Sequence, residues 1–377
     1  MSDSGTQFQW LGTGDIAFAA MGQALSRAQR CIRLESYTVA EGLPGVAIRD
    51  YLVAAALRGV RVQVLVDGLG SYSLPISFWK PLEQAGGLVR VFNPLSFNRL
   101  MVRDHRKLIV VDDSIAIVGG FNIASVYLGD GISRGWCNVG VCLTGSVADR
   151  LSIAFDRMWD LAVESPLRFV RLRRRTVDLA SSEEQKVGVI VSGPGRGGAA
   201  FLVALRKDLE RAEDVQIVCP YFLPGLRLRR MLARMARDGK KVRILVPGRS
   251  DVPMSRRAGR SLYSPLLRAG VEILEYQPQV LHAKLYLTEA VVFVGSSNLD
   301  TRSLHINHEI MLRIEHPEVV AKARDWVGAA CRHAQRIETK TWRQSRSWVE
   351  KIRERWAHLL LSRFDPYVTR WMVQDPR

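Results

Sequence analysis

Apolar and polar positions change their spacing several times along the first hundred residues. From Ile16 to Arg30 the apolar residues Ile16, Met21, Leu25 and Ala28 fall at helical intervals, which predicts a helix with one buried stripe. From Cys31 to Tyr37 the period drops to two, Ile32 and Leu34 alternating with Arg33 and Glu35, as in a strand. A helix is predicted over 45–58, with Gly59 as its C-terminal stop. Val60–Val66 is then largely apolar, as a strand covered on both faces requires. A helix near Pro75–Ala85 and a strand at Leu88–Phe92 complete the run. Such alternation predicts a layered α/β domain with a mostly parallel sheet.

The same order returns after residue 185. Strands are predicted at Val187–Val191 and Val215–Cys219 with a helix at Ala199–Arg211 between them. A basic helix, Leu226–Arg237, stops at Gly239 and leads to a strand at Val242–Val246. A helix over Arg260–Ala269 precedes a strand at Val271–Tyr276. Gly59 and Gly239 lie 180 residues apart, and His105 and His282 lie 177 apart. Landmarks that keep step over such a distance mark an internal duplication. The prediction is two α/β/α domains, 1–180 and 181–340, with mixed, mostly parallel sheets related by a pseudo-twofold. A tail, 341–377, follows.

That tail has a different character. Trp342, Val349, Ile352, Trp356, Leu359, Leu360, Phe364, Tyr367 and Trp371 recur at three- and four-residue steps among arginines and lysines, and Pro366 must bend or split the helix. A basic amphipathic helix with tryptophans suits an interfacial membrane anchor; the same pattern also suits a helix packed on the second domain. The linker falls around Arg168–Glu184. Its cluster Arg171, Arg173, Arg174 and Arg175 suits lipid phosphates or a solvated inter-domain face. Gly193–Gly198 lacks the Gly-Lys-Ser/Thr of a nucleotide-binding loop, and is read as a loop before a helix.

Composition adds a partner class. Of 377 residues, 54 are Lys or Arg against 37 Asp or Glu, a net charge of +17. That excess predicts a polyanion, either nucleic acid or an anionic membrane surface. Aromatics concentrate in the tail rather than along a basic groove, which disfavours nucleic acid. Cys31, Cys137, Cys142, Cys219 and Cys331 form no CxxC pair, so no metal site is expected and a reducing compartment is. The N-terminus has no basic and apolar leader pattern. The longest apolar stretch, Leu108–Gly129, is broken by Asp112, Asp113 and Gly119-Gly120, and reads as two short strands rather than a membrane span.

The candidate chemistry lies in two matched stretches. His105-Arg106-Lys107 runs to Asp112 and is followed by Gly119-Gly120-Phe121-Asn122; His282-Ala283-Lys284 runs to Glu289 and is followed by Gly295-Ser296-Ser297-Asn298. Residues i and i+2 of a strand share a face, so each copy presents an imidazole beside an ammonium, with an Asn amide brought near by the turn. One His-x-Lys alone is an ordinary surface pair. Two copies with matched turns suit reaction at one phosphodiester: one imidazole attacks phosphorus, the other protonates the leaving alcohol, and the ammonium pair holds the phosphoryl oxygens.

These stretches resemble the paired HxKxxxxD signatures of the phospholipase D superfamily. The likeness extends to Glu35-Ser36-Tyr37, Asp104, the run Cys219–Gly225, Asp251–Tyr263, Asp300–Ser303 and Asn307-His308-Glu309. Within the superfamily it points to the bacterial cardiolipin synthases, in particular the B type without N-terminal membrane spans. The resemblance implies catalytic roles for His105, Lys107, Asp112, His282, Lys284 and Glu289. It makes His105 the nucleophile through a phosphohistidine, an assignment that the spacing leaves open. Asn122, Asn298, Asn138 and Glu309 would bind or orient, with no metal or other cofactor and no obligate protein partner. Glu309, 27 residues after His282, stands where relatives carry a carboxylate that holds a histidine tautomer; the first-copy equivalent is Asn138, where relatives usually carry Asp. Glu289 replaces the second-signature Asp, and at a strand end such an acid also has a structural reading. The implied substrate is phosphatidylglycerol, two molecules giving cardiolipin and glycerol, at the cytoplasmic face of a bacterial membrane. The alternatives are a hydrolase or nuclease of the same superfamily, or an anionic-lipid-binding protein with a decayed site.

Overall fold

A computed structural model describes residues 6–94, 102–163, 179–182, 186–194 and 200–364. The Arg171–Arg175 cluster, Gly195–Gly198, Pro366, Tyr367 and Trp371 lie outside the described residues.

Among the described residues the chain builds two mixed sheets. The first runs edge to edge Phe8–Leu11, Gly140–Thr144, Ile115–Gly119, Lys107–Val111, Cys31–Ser36, Arg61–Asp67, Leu88–Phe92. The second runs Leu179–Ser182, Val187–Ser192, Glu309–Ile314, Val292–Gly295, Leu285–Leu287, Asp214–Val218, Lys241–Pro247, Glu272–Tyr276, Ala334–Arg336. Apart from the two outermost strands of the second sheet, position matches position. The duplication read from spacing is therefore a duplication of topology. Gly59 and Gly239 end matching helices at φ +87 and +86, a left-handed conformation that a side chain would strain.

The sheets are mixed, but not mostly parallel. Parallel pairing is confined to the strands starting at Cys31, Arg61 and Leu88 in one half, and at Asp214, Lys241 and Glu272 in the other. The intervening helices Leu43–Leu57 and Leu226–Arg237 supply the long crossovers that parallel neighbours need. The signature strand Lys107–Val111 instead pairs antiparallel on both sides, because the short Asp112–Ser114 connection returns the chain beside itself. The helix expected over Arg260–Ala269 is two helices, Pro253–Arg260 and Tyr263–Arg268. Pro265 lacks the amide hydrogen that a continuous helix would bond back to the Ser261 carbonyl, so the break falls at Ser261–Leu262 and Pro265 sits in the first turn of the second helix.

Alternating residues of the signature strand serve two cores. Leu108 and Val110 join an apolar layer shared with Val218, Leu285, Val294 and Ile310 of the other half. Ile109 and Val111 face the outer layer of their own half. The two sheets therefore pack through a common core that includes the helices Ser146–Leu161 and Pro317–Arg332.

The tail begins differently from its periodic pattern. Trp342 is 4% exposed in the second half's outer core, its Nε1 donating to Ser264 Oγ at 3.2 Å. Arg346 stacks on its ring at 4.2 Å and is ion-paired with Glu354. The helix Trp348–Leu359 then runs along the surface. No described helix is long and apolar enough to cross a membrane.

Two expected catalytic acids turn out to shape the fold. Asp112 accepts backbone N–H bonds from Gln29, Arg30 and Cys31 at 2.9, 2.7 and 2.9 Å. Glu289 accepts them from Glu213 and Asp214 at 3.2 Å. Each carboxylate pins the start of the strand beside its own signature strand, rather than meeting an imidazole. Burial pushes the Asp112 carboxyl up, but the three N–H donors outweigh it and hold the group below its ordinary value. That contribution is present above the unfolded carboxylate's value and is lost as pH falls through the folded one. Asp112→Ala should destabilise the protein by about 1–2 kcal/mol near pH 7, partly discounted because the Gln29 and Arg30 amides reach solvent. Thermal melts from pH 7 to pH 3 check this: the gap between variant and parent should close on acidification, and a gap of constant size refutes the account.

Candidate active site

The halves meet by exchanging backbone beside each signature. His105 N–H donates to the His308 carbonyl at 2.9 Å, and His308 N–H to the Arg103 carbonyl at 2.8 Å. On the other side Cys137 N–H donates to Val280 O at 2.9 Å, and His282 N–H to Cys137 O at 2.8 Å. Each catalytic-candidate histidine is thus tied to the half that does not carry it. Both imidazoles arrive at one seam, with Lys107 and Lys284.

The orienting partners cross as well. Glu309, which follows His282 in sequence, holds His105: its carboxylate oxygens lie 3.0 and 3.1 Å from His105 Nδ1. Asn138, which follows His105, faces His282, its Nδ2 at 3.4 Å from Nδ1. The Asn138 carbonyl accepts Val139 N–H at 2.9 Å, so the amide nitrogen and not the oxygen meets the ring.

The turns after the signatures explain this division. Ser296 Oγ donates to Glu309 at 2.5 Å and accepts Ile310 N–H at 3.0 Å. Its counterpart in the first half is Gly120, where an added Cβ would stand 2.3 Å from Asn138 Oδ1. A hydroxyl braces the carboxylate in one half, and bare backbone makes room for the amide in the other. The backbone of Ser296 favours the protonated form of His105 and that of Gly120 the protonated form of His282, so each turn serves the opposite histidine.

Charge in the seam is strongly one-signed. Lys107 Nζ donates to the His105 carbonyl at 2.5 Å and Lys284 Nζ to the His282 carbonyl at 2.8 Å. Lys284 Nζ also lies 2.8 Å from His282 Nδ1. Burial, then the two ammonium groups, hold both imidazoles well below their ordinary values. Burial pulls Lys107 down to about 8, and Lys284 also falls well below the usual lysine range. Glu309, fully enclosed, is pushed up to about 8 by burial against the pull of Lys107 and Ser296. Such surroundings favour neutral imidazoles and a bound anion.

Aromatic rings wall the histidines. Tyr37 packs edge-on to His105 at 5.0 Å and lies under the Lys107 ammonium at 5.3 Å. Tyr127 and Trp136 pack on His282 at 5.3 and 5.4 Å. Neither Tyr127 nor Trp136 stood out in the sequence; both sit in irregular chain with no period to reveal them. Asn122, expected to help hold phosphoryl oxygens, instead donates to the Tyr127 hydroxyl at 2.7 Å and accepts Thr38 N–H at 3.3 Å. It positions the aromatic wall. Asn298 is buried with its carbonyl oxygen unpartnered, an acceptor that suits a hydroxyl or ammonium donor rather than a phosphoryl oxygen. Behind the site, Arg106 pairs with Glu35 at 2.8 Å, both enclosed, and Asp104 accepts the Arg106 N–H at 3.2 Å. Among the described residues no cluster of His, Cys, Asp and Glu could hold a metal ion.

Comparison with known proteins gives concordant results. A family model described as "Cardiolipin synthase, PLD-like domain" matches residues 21–159 and 205–330. Cardiolipin synthase B of Salmonella typhimurium is 34% identical over 331 residues, covering 82% of this chain and 76% of that protein. Cardiolipin synthase 1 of Bacillus anthracis is 30% identical over 368 residues, covering 94% of this chain and 72% of the relative. Among solved structures, phosphatidylserine synthase of Haemophilus influenzae superimposes with a TM-score of 0.75 at 16% identity, covering 96% of this chain and 95% of that one; at that identity the likeness concerns the fold.

The contact between Gly120 and Asn138 is testable. Gly120→Ala should displace Asn138 and with it His282, lowering phosphodiester turnover about 10²-fold. Gly225→Ala, at a glycine with open space around it and φ −61, should leave turnover unchanged. Equal rates for the two variants, measured on folded protein, would refute the positioning argument.

Proposed function

The chain belongs to the phospholipase D-like cardiolipin synthase family, and from that premise we propose that it is a phosphatidyltransferase joining two phosphatidylglycerols into cardiolipin and glycerol. The observation that carries the mechanism is the unequal bracing of the two imidazoles. His105 has a carboxylate on Nδ1, which leaves Nε2 free and stabilises positive charge on the ring. That suits the nucleophile, whose ring becomes cationic when phosphorylated. His282 has an amide and an ammonium beside Nδ1, and suits proton transfer to and from an alcohol.

In the first step His105 Nε2 forms a bond to phosphorus as the bond from phosphorus to the glycerol headgroup oxygen breaks; His282 gives that oxygen a proton. In the second, the free hydroxyl of another phosphatidylglycerol loses its proton to His282 and attacks phosphorus. The phosphorus–nitrogen bond breaks and His105 is restored. Lys107 and Lys284 hold the phosphoryl oxygens throughout. A bound phosphodiester offsets their repulsion of His282, so substrate entry itself lets His282 carry the proton it must donate. Asp112 and Glu289 support this site through the fold. The substrate resides in a bilayer, so the enzyme works as a peripheral protein at the membrane's inner surface.

Purified protein incubated with labelled phosphatidylglycerol in mixed micelles should yield cardiolipin, and His105→Ala should lower the yield by about 10³-fold or more. Phosphatidic acid alone would make water the acceptor and the protein a hydrolase. Cleavage of single-stranded DNA with no lipid product would make it a nuclease, and binding of lipid with no product a decayed site.

The pH profile is a second test. The free enzyme needs charged ammonium groups, and the Lys107 ammonium is the dominant form only below about 8. The Glu309 carboxylate, pushed up to about 8, is needed on the other side of that value. The value of kcat/KM should therefore peak near pH 8 and fall both below and above it, with Lys284 adding to the alkaline fall. The alkaline fall in kcat should come at higher pH, because bound phosphodiester favours the ammonium. A kcat/KM profile flat to pH 10 would sink the assignment.

A further inference from the structure

Away from the catalytic seam, the tail helix Trp348–Leu359 and its continuation Leu360–Phe364 form one wall of an open cleft of about 530 Å³. Arg229, Ser261, Leu262, Arg355, His358 and Ser362 are among its lining residues. Three of those side chains are basic and none is acidic. Arg229 comes from the basic helix Leu226–Arg237 across the cleft, where its Nε is buried without a hydrogen-bond partner. Ser261 and Ser362 bring hydroxyls to the same space, each now donating to a nearby backbone carbonyl, at 2.6 and 2.5 Å. With the hydroxyls so engaged, the Arg229 and Arg355 guanidinium groups are the donors that a phosphate would meet there.

The helix face beside the cleft is apolar and open. Successive residues of an α-helix turn by about 100°. Glu354 and Ala357 form the buried stripe. Arg355 and His358 follow on one flank, and Trp348, Ile352 and Trp356 continue the circuit. Trp348 is 73% and Trp356 59% exposed, and Ile352 and Leu360 are exposed with them. Ser347 and Glu350 form a reciprocal cap at the helix start, so this face is prefolded. Large aromatic side chains in water beside a basic cleft are costly unless a partner covers them. Tryptophan at the rim and arginine at the headgroup level are how a helix lies in a bilayer interface.

We propose that this cleft binds the phosphate of an acidic phospholipid, and that the Trp348–Leu360 face enters the bilayer beside it, forming a docking surface separate from the catalytic site. The acidic headgroup meets Arg229 and Arg355 while the tryptophans sit among the acyl chains' upper carbons. This surface holds the enzyme on anionic membrane whether or not the catalytic seam is occupied.

The test is co-sedimentation of the full chain with vesicles of phosphatidylglycerol and phosphatidylcholine, and with phosphatidylcholine alone. The proposal predicts binding to the former, weakened about 10-fold or more in the double variant Arg229→Gln/Arg355→Gln. The double variant Trp348→Ser/Trp356→Ser should weaken it to a similar extent. His105→Ala should bind like the parent, which separates docking from catalysis. Both surface variants should melt as the parent does and keep their turnover on short-chain phosphatidylglycerol dispersed as monomers. A control double variant, Arg61→Gln/Arg268→Gln, removes equal charge elsewhere and should bind normally; equal loss there means that net charge alone drives binding and overturns the site. Full competition by millimolar inorganic phosphate would make it a soluble-anion site. Unchanged vesicle binding in the tryptophan variant, accompanied by altered self-association, would make the face a contact between copies of this chain. Either result overturns the proposal.

Discussion

Two ammonium groups are held inside this protein, and Glu309, a carboxylate that acts on both, is itself pushed toward neutrality by burial. Lys107 is 4% and Lys284 0% exposed, and Glu309 is the acid they meet. Unpaired charge at that depth is strongly unfavourable, and a fold keeps it only where something else over-determines the geometry. Here the shared core between two sheets does so, together with the backbone exchange that fixes each signature on the opposite half. In the proposed reaction a phosphodiester brings further negative charge, and in doing so changes the protonation that its neighbours can adopt.

The duplicated halves have diverged where chemistry asks for difference and held where folding asks for sameness. Glycine caps, strand order and the acid that pins each strand start recur with little change; Glu289 for Asp lengthens a tether without altering its task. At the seam the pairs separate: Ser296 with Glu309 against Gly120 with Asn138, and Asn122 bonded to Tyr127 against Asn298 with an unpartnered carbonyl oxygen. A symmetric site would give two histidines with similar proton affinity. In the proposed mechanism an attacking and a proton-transferring histidine need different surroundings, and these substitutions would provide them within one repeated scaffold.

Much of this was legible in sequence. Period-two placement of His and Lys ahead of an apolar strand marked each pair, although of the four only Lys107 lies within a strand, and the near-constant offset between glycine stops revealed the repeat. Both depend on local geometry, which sequence carries directly. What resisted reading was relation across distance. Counting along the chain groups Glu309 with His282, whereas the seam gives it to His105, because strand ends cross between the halves. Parallel pairing was over-expected because helix–strand alternation is easier to see than a three-residue return at Asp112–Ser114. Trp342 belonged by period to the tail's aromatic series, yet it packs on Tyr263 in the core, since arginines stack on its ring and Ser264 takes its N–H.

The crossing also explains why one chain needs both halves for one site. Each imidazole's backbone is bonded to the opposite half, and its orienting side chain comes from there as well. Separating the halves would therefore remove the brace from both histidines at once and expose the shared core. Folding of the seam and assembly of the site are the same event. A buried cation pair tolerated only in that assembled state is then protected from premature exposure, since nothing in either half alone would hold the two ammonium groups at one place.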